Sequence, residues 1–482
     1  MVAQKHIEHL SQNLSGALLQ DGAPGYEHAI TIDNGRIHLK PGFIVIPASA
    51  ADISLALEFA RDHGVKFTVR GGGHSAAGYC LNQGGMVIDM SGLKARSLDA
   101  RTGILRAETG NTWRELYQYL QQTGTGYIPI GGGCPTVGIP GFMLGGGISF
   151  VSRSYGLSID NLISIDIITP DGKLRHLSDE SSTREERDLF WACCGGAGGN
   201  FGIAVAFEMR LHKPRTAKML TGYMYYPLEA AQDVLGLYNE WIETVPDALS
   251  IYGYLGNTAN PVYPSQTQKS LGLTAIWNGD SAEGMRLLAP LLRFKTLSVK
   301  LYDLTLPDFE ELNGSITLVD KRQAYIRSGM MAPRSMTPEV VSIFSEYMTH
   351  APSPSSFMIW DHCGGKVSEV DPTATAYWHR GARFLYEMKS IWQADSAMGE
   401  NVDWAYRFGE ALSPHTTGAY VNYIDPLLVG WQKQYYGENY PRLLEIKKHW
   451  DPAGFFRFQQ SIGSTFEPTP GDASPLFRTF AP

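Results

Sequence analysis

The spacing of apolar and polar positions near the start of the chain predicts strands that alternate with helices. The apolar run 43–46 is typical of a short buried strand, and the segment 53–60 carries its apolar side chains at helical spacing. That helix follows a Ser-x-x-Asp capping pattern and ends at Gly64. The segments 65–70 and 86–90 again have the character of strands, so the first part of the chain predicts a mixed α and β domain.

The pattern changes beyond a domain boundary that we place near residues 214–218. Segments 228–245 and 281–294 have helical spacing, and strand candidates such as 271–276 lie between them. Residues 418–462 return to an aromatic-rich pattern and are expected to rejoin the first domain.

Composition excludes several classes of protein. The 482 residues include 40 Lys and Arg against 48 Asp and Glu, a net charge of −8, which does not favour binding to nucleic acid. Hydrophobic residues make up 43% and aromatic residues 11% of the chain, so it is not disordered as a whole. No apolar run approaches the ~18 residues of a membrane helix. The first ten residues lack the apolar core of a signal peptide, and we therefore expect a cytoplasmic protein.

The five cysteines are too scattered for a disulfide scaffold, and no C-x-x-C pattern is present. No metal site is therefore predicted. The adjacent pair Cys193 and Cys194 is interpreted as two small buried side chains rather than as a redox pair.

Glycine is concentrated in clusters. Of 52 glycines, many fall in residues 70–75, 131–138 with 145–147, and 195–200. Glycine allows positive φ and close approach of a ligand to backbone N–H groups. A single cluster is explained by a turn, whereas several in one half of the chain predict a large anionic cofactor with a pyrophosphate. P-loop, G-x-S-x-G and H-E-x-x-H patterns are absent, which excludes P-loop NTPases and the commonest hydrolases.

His74 and Cys134 each follow three glycines directly. A lone histidine in a loop is usually a hydrogen-bonded surface group, and a lone cysteine is usually a small buried side chain. The pair is of interest because both are nucleophiles in loops that suit close approach to a ligand.

Six motifs in order along the chain resemble the berberine-bridge-enzyme-like flavoproteins of the vanillyl-alcohol-oxidase superfamily. They are residues 70–74, 133–138 with 145–147, 155–161, 188–203, 420–423 and 435–462. The resemblance implies an α+β fold, with a two-part FAD-binding domain and a substrate domain whose antiparallel sheet is backed by helices. The expected domains are the FAD-binding domain at 1–216, the substrate domain at 217–410 and the returning segment at 411–482.

The resemblance also implies FAD that is attached covalently at two points. His74 would be linked to the 8α-methyl carbon of the flavin, and Cys134 to C6. A short motif, His379 and Arg380, would anchor the substrate domain near the flavin. The further FAD contacts implied are Arg70, Gly71, Gly72, Gly73, Ser75, Val137, Gly138, Gly145, Gly146, Gly147, Asp160, Asn161, Gly199, Gly202, Ile203, Tyr420 and Asn422.

Hydride transfer to a flavin requires a base for the substrate O–H proton. In similar enzymes this base is the second tyrosine of a Tyr-x-Asn-Tyr motif, here Tyr423, and strand-like alternation would turn it away from Tyr420 and Asn422. Asp361 matches a carboxylate of carbohydrate-oxidising relatives and would accept the phenol proton or order the phenol. The alternative for Asp361 is a loop carboxylate with structural partners. Ile148 stands where some relatives have a second tyrosine, so we do not expect a two-tyrosine mechanism.

The expected reaction is oxidation of an alcohol or hemiacetal carbon in a secondary metabolite or saccharide, with molecular oxygen as acceptor. Substrate contacts are predicted for Tyr254, Trp360 and His362, although packing in the core would also explain each of them. The alternatives are oxidative cyclisation of a secondary metabolite and a non-redox cyclase that uses FAD structurally. A nicotinamide-dependent dehydrogenase is disfavoured because no helix follows Gly73. The protein is expected to act as a monomer or homodimer.

Overall fold

A computed structural model of the chain describes residues 2–259, 265–313, 322–472 and 476. The N-terminal part forms a four-stranded sheet in the order β1-β2-β4-β3, in which β1 is antiparallel and the other strands are parallel. The elements are α1 (Gln4–Asn13), β1 (Ala17–Leu19), α2 (Tyr26–Ile30), β2 (Phe43–Ile46), α3 (Ala50–Asp62), β3 (Phe67–Arg70) and β4 (Met86–Asp89).

The start of α3 differs from a complete capping box. The Ser49 hydroxyl accepts a hydrogen bond from the Asp52 amide at 3.4 Å, as a cap should. The Asp52 carboxylate, however, accepts from the amides of Ser15, Gly16 and Ala48 at 2.8–3.0 Å. This buried carboxylate therefore fastens the N-terminal segment to the sheet.

A five-stranded antiparallel sheet follows, in the order β5-β6-β9-β7-β8. A Thr-x-x-Glu capping box, formed by Thr112 and Glu115, is present at the start of α4. The elements are β5 (Arg96–Asp99), β6 (Ile104–Glu108), α4 (Trp113–Thr123), α5 (Ile139–Leu144), α6 (Ser152–Tyr155), β7 (Leu162–Ile168), β8 (Leu174–Leu177), α7 (Arg184–Cys193) and β9 (Ile203–Arg210).

The third sheet is antiparallel, with strand order β13-β10-β12-β11-β15-β16-β14. Alternate side chains of its strands pack on α8, α11 and α12 in one large apolar cluster. The elements are β10 (Met219–Pro227), α8 (Ala231–Trp241), β11 (Leu249–Ala259), β12 (Thr267–Trp277), α9 (Ser281–Leu292), β13 (Ser298–Leu304), α10 (Leu306–Asn313), β14 (Gln323–Met331), α11 (Pro338–Thr349), β15 (Phe357–His362), β16 (Phe384–Trp392) and α12 (Met398–Leu412).

The C-terminal segment packs on the glycine-rich half of the molecule. It contains α13 (Trp431–Tyr436) and α14 (Tyr440–Trp450). The Lys447 ammonium donates to the carbonyl of Asn200 at 2.6 Å, and the Ile462 amide donates to the side-chain oxygen of Asn200 at 2.9 Å. The α+β fold with a helix-backed antiparallel sheet agrees with the prediction. No helix in the described residues is both long and apolar enough to cross a membrane.

Candidate active site

The free face of the seven-stranded sheet lies against the glycine loops. Residues that stand opposite one another form one row across this face: Tyr225, Gly272, Tyr254, Ile359, Glu387 and Ser328. The Ser328 hydroxyl accepts a hydrogen bond from the Tyr420 amide at 3.0 Å, which joins the row to the C-terminal segment. We call the space between this sheet face and the glycine loops the cleft.

Strand alternation corrects two of the predicted substrate contacts. Asp361 and Ile359 are on the cleft face of β15, so their neighbours Trp360 and His362 point to the helices. Trp360 is fully buried, and its indole N–H donates to the Tyr238 hydroxyl at 3.3 Å. The His362 Nδ1 accepts from the Ile251 amide at 3.3 Å. Both side chains belong to the core, whereas Tyr254 does lie on the cleft face.

His74 and Cys134 come together around one hydroxyl group. His74 Nε2 lies 3.0 Å from the Thr136 Oγ1, and the Cys134 Sγ lies 3.5 Å from the same oxygen. The loops that carry them pack backbone to backbone: a Cβ added to Gly72 would lie 2.2 Å from the Gly138 nitrogen. Glycine at this crossing is therefore required by contact between the loops.

The His74 loop has the features of an anion cradle. Within the described residues, the amide N–H groups of Gly72, Gly73 and His74 have no hydrogen-bond acceptor. Gly73 has φ +77°, and a turn of this kind directs successive amides toward one point. Arg70, which precedes them, is occupied by Asp89 at 2.6 Å and by the Thr31 carbonyl at 3.2 Å. The free donors fit the acidic part of FAD, whereas the Arg70 guanidinium already holds the loop to the sheet.

Tyr423 lies beside an acidic residue that the sequence analysis did not predict as part of the site. Its phenol lies close to the carboxyl group of Glu387 on β16, and Asp361 on β15 is the next acidic group that acts on it. Burial and the Glu387 charge raise the pKa of Tyr423 well above its usual value. Burial and repulsion by Glu387 raise the pKa of Asp361 to about 8. Of the two carboxyl groups, Glu387 therefore interacts more strongly with the phenol than Asp361 does.

Glu387 is the better placed of the two carboxyl groups to carry a negative charge. Burial raises its pKa, but Lys389 and the Tyr423 hydroxyl oppose that shift. The shift at Asp361 is caused by burial and by Glu387, both of which favour its protonated form. Two buried carboxyl groups side by side cannot both ionise cheaply, so the charge belongs on Glu387.

The Tyr-x-Asn-Tyr motif is not a strand. Residues Val421–Tyr423 form a 3₁₀ turn, so the alternation predicted for it was wrong. Tyr420 and Asn422 nevertheless lie together, because the Asn422 amide donates to the Tyr420 hydroxyl at 3.0 Å. The same hydroxyl accepts from the Gly147 amide at 2.9 Å. The two rings of Tyr420 and Tyr423 stand edge to face, 5.4 Å apart.

Several side chains predicted to contact FAD have protein partners in the structure, and their contact with FAD stays a prediction. Asp160 holds both terminal nitrogens of Arg380 at 2.7 Å, and Asn161 is 2.6 Å from His212 Nε2. Ser75 accepts from the Tyr79 amide at 3.0 Å. Ile203 lies in the apolar core of the first two sheets. Arg380 thus anchors the substrate domain by binding Asp160.

The remaining glycines of the prediction lie at close contacts. A Cβ on Gly145 would be 2.0 Å from the Asn422 side-chain oxygen, and one on Gly146 would be 2.9 Å from the ring of Tyr377. The other predicted contacts, which have a backbone role in these loops, are Gly71, Val137, Gly199 and Gly202. Their contact with FAD stays a prediction.

Four residues of the cleft were missed: Asp33, Thr136, Glu387 and Lys389. The last two alternate within the otherwise apolar strand Phe384–Trp392, and two charges on one face of such a strand are a usable signal. Thr136 lies within a motif that was recognised, but its hydroxyl was not considered. Asp33 has no local signal, because only the fold brings it to His74.

Comparison with known proteins agrees with this architecture. The chain matches the FAD binding domain family over residues 41–178 and the berberine and berberine-like family over residues 419–463. It is 30% identical to the FAD-linked oxidoreductase YvdP of Bacillus subtilis (strain 168), over 94% of this chain and 99% of that protein. It is 28% identical to the xylooligosaccharide oxidase of Thermothelomyces thermophilus, over 89% and 88%.

A solved structure shows the same fold. The wild-type berberine-bridge-enzyme-like protein 1 of Physcomitrella patens superposes with a TM-score of 0.85, at 23% identity, over 95% of this chain and 98% of that one. The family, the fold and FAD as cofactor are thereby confirmed. The chain belongs to the berberine-bridge-enzyme-like FAD-linked oxidoreductases.

Proposed function

We propose that this oxidoreductase is an oxidase of alcohol or hemiacetal carbons, with FAD attached to both His74 and Cys134 and with Tyr423 as the group that takes the substrate proton. Bound FAD supplies the hydride acceptor, and molecular oxygen takes the electrons and leaves as hydrogen peroxide. The observation that carries the proposal is the position of the Tyr423 hydroxyl beside the buried Glu387 carboxyl group at the cleft.

A phenol whose pKa is raised is a poor base by itself, because the phenolate is rarely present at neutral pH. Glu387 removes this difficulty. As the substrate O–H proton moves to the Tyr423 oxygen, the phenol proton moves to the Glu387 carboxylate, so no phenolate has to exist beforehand. Lys389 opposes the burial-induced rise in the Glu387 pKa, so it helps to keep the acceptor ionised.

Attachment at two points is supported by the convergence of His74 and Cys134 on Thr136. Both are nucleophiles, and both lie beside a loop with free amide donors. Two side chains so close together suit one rigid cofactor ring with two reactive positions.

The cleft face of the sheet supports a ring-shaped polar substrate. Gly272 separates Tyr225 from Tyr254, and a Cβ at this position would lie 2.8 Å from the Tyr225 ring. Tyrosine faces stack on sugar or aromatic rings while their hydroxyls bind polar groups. A named saccharide oxidase among the relatives agrees with this substrate class.

The first experiment is the visible spectrum of the purified protein, followed by acid precipitation. We expect flavin in the precipitate, and release into the supernatant only when His74 and Cys134 are both replaced. Release from the unaltered protein would contradict covalent attachment.

The second experiment identifies the reaction. Candidate sugars and alcohols are screened for peroxide release in air and for bleaching of the flavin without air. Tyr423→Phe should slow bleaching by about 10²–10⁴-fold with an unchanged flavin spectrum, the usual range for loss of a proton acceptor. Tyr302→Phe, on an exposed edge strand, is the matched control. Product without bleaching would indicate non-redox cyclisation, and a bleached flavin with a ring-closed product would indicate oxidative cyclisation.

A further inference from the structure

A buried polar chain surrounds the two residues that we propose as attachment points. On one side, the Thr136 hydroxyl is shared by His74 Nε2 at 3.0 Å and by Cys134 Sγ at 3.5 Å. On the other side, the Asp33 Oδ1 lies 3.9 Å from His74 Nδ1. The two histidine nitrogens therefore have different environments.

Hydrogen-bond distances distinguish the two nitrogens. The 3.0 Å contact of Nε2 with Thr136 is a hydrogen bond, whereas 3.9 Å from Nδ1 to Asp33 is too long for one. With the ring proton on Nε2 and donated to Thr136, the Nδ1 lone pair is free to act as a nucleophile. The Thr136 hydroxyl then has its own proton available for the Cys134 sulfur.

Asp33 is held beside the ring by the opposite domain. Its second carboxylate oxygen lies 3.4 Å from the Lys389 ammonium on β16, and its amide donates to the Gly73 carbonyl at 3.0 Å. The side chains of Asp33 and His74 are only 18% and 15% exposed, so charges here are weakly screened by water. A carboxylate in this position stabilises positive charge on the imidazole.

The protonation state of the free ring suits a nucleophile. Burial lowers the pKa of His74, and the opposing effect of Asp33 is smaller. The imidazole is therefore neutral near pH 7 and gains positive charge only as it forms a bond.

We propose that Asp33 and Thr136 are positioning residues for covalent attachment: Asp33 stabilises the charge that develops on His74, and Thr136 orients both His74 and Cys134. This inference rests on the proposed double attachment. The two residues are expected to differ in effect. Asp33 favours the histidine link but not the cysteine link, since its charge raises the pKa of Cys134, whereas Thr136 favours both links.

Formation of the bond between His74 and the flavin conserves atoms and electrons. A C–N bond forms between Nδ1 and the 8α carbon of the flavin, while one C–H bond of that methyl group and the Nε2–H bond break. The flavin ring receives the two electrons and two protons. Molecular oxygen then removes both hydrogens and leaves as hydrogen peroxide, so that oxidised, linked flavin remains.

The test uses backgrounds that can form a single link. Cys134→Ala leaves only the histidine link, and His74→Ala leaves only the cysteine link. Asp33→Asn and Thr136→Val are introduced into each background, and the fraction of bound flavin that stays in the acid precipitate is followed with time after purification. Total bound flavin and the melting temperature of each holoprotein report whether the fold and the cofactor are retained.

We expect Asp33→Asn to slow linkage about tenfold or more in the Cys134→Ala background, less than the ~10²–10³-fold lost with a directly hydrogen-bonded group because Asp33 lies 3.9 Å from Nδ1. In the His74→Ala background linkage should not slow, because the Asp33 charge raises the pKa of Cys134 and its removal favours the thiolate. Asp33→Glu should recover much of the rate. Thr136→Val should slow both links, whereas Thr136→Ser keeps the hydroxyl and should behave as the parent.

Equal effects of Asp33→Asn in both backgrounds, or no effect in either, would overturn the role of Asp33. Normal linkage in Thr136→Val would overturn the role of Thr136. If the parent protein releases all its flavin into the supernatant, the proposed attachment itself fails and this inference fails with it. Linked parent protein with unaffected variants contradicts the inference alone.

Discussion

Glu387 and Asp361 are two acidic side chains in one cleft with different surroundings. Glu387 lies beside the Tyr423 hydroxyl and near Lys389, whereas Asp361 has only burial and a like charge acting on it. Glu387→Gln should therefore slow anaerobic bleaching of the flavin by about 10²-fold or more, and Asp361→Asn by about tenfold or less. Stopped-flow measurement with a substrate from the peroxide screen checks this. An Asp361→Asn effect as large as that of Glu387→Gln would assign the acceptor to Asp361.

The Asp361 carboxyl also makes folding stability depend on pH. Its pKa is about 8 in the folded protein, against an ordinary value of 3.8. Between these two values the carboxyl group is protonated in the folded protein and ionised in the unfolded chain, so the free energy of unfolding falls as pH rises. The contribution of this group to folding stability is therefore fully present below about pH 4 and is lost as pH rises toward 8. Asp361→Asn cannot titrate, so its melting temperature relative to the unaltered protein should rise by roughly 2–5 °C from pH 5 to pH 9.

Melting curves across this pH range provide the measurement. Asp21→Asn, at an exposed loop position, is the control for the loss of an aspartate. If the melting temperature of Asp361→Asn relative to the unaltered protein stays the same from pH 5 to pH 9, Asp361 is ionised in the folded protein throughout that range.

At the scale of elements, the crossing of two glycine loops supports the cofactor site. A Cβ on Gly72 would meet the backbone nitrogen of Gly138 at 2.2 Å, and backbone cannot move aside cheaply. Gly72→Ala should therefore separate the loops, lower the bound flavin content and reduce the stability by about 2 kcal/mol or more. Gly141→Ala is matched to it, since nothing lies within 4 Å of a Cβ there. Flavin content and denaturant unfolding distinguish the two variants, and equal behaviour would show that the crossing can adjust.

The local sequence pattern predicted structure correctly where the conformation depends on residues within a single element. The Thr112–Glu115 capping box and helix α9 follow from short-range spacing, and they are present. The prediction that His362 contacts substrate was wrong, because the register with which a strand pairs decides which of its side chains face the cleft and which face the core. The sequence also did not predict the 3₁₀ turn at Val421–Tyr423, because its conformation depends on hydrogen bonds of Tyr420 with Ser328 and Gly147, which are distant in sequence.

At the scale of the whole molecule, the cleft lies between two halves of the fold that are not two halves of the sequence. His74 and Cys134 come from the glycine-rich domain, Tyr423 comes from the C-terminal segment that packs on it, and Glu387 comes from the seven-stranded sheet. Motif resemblance found the first group because the motifs are continuous in sequence. The group from the sheet depends on long-range register, which is why Glu387 and Lys389 emerged only from the fold.

The distances across the cleft therefore depend on the contacts that hold these two halves of the fold together. The ion pair between Arg380 and Asp160 is one of these contacts. Arg380 is 1% exposed and binds both oxygens of Asp160 at 2.7 Å. Arg380→Met would leave a buried carboxylate unpaired, which costs about 3–5 kcal/mol, and it should lower the melting temperature of the holoprotein accordingly. The double variant Arg380→Met with Asp160→Asn should recover part of that loss, because it removes the unpaired charge. Arg101→Met, whose side chain is 92% exposed, is the control and should change stability by less than about 0.5 kcal/mol. If Arg380→Met behaves like this control, the two halves are held together by apolar packing, and the position of Glu387 relative to Tyr423 does not depend on the ion pair.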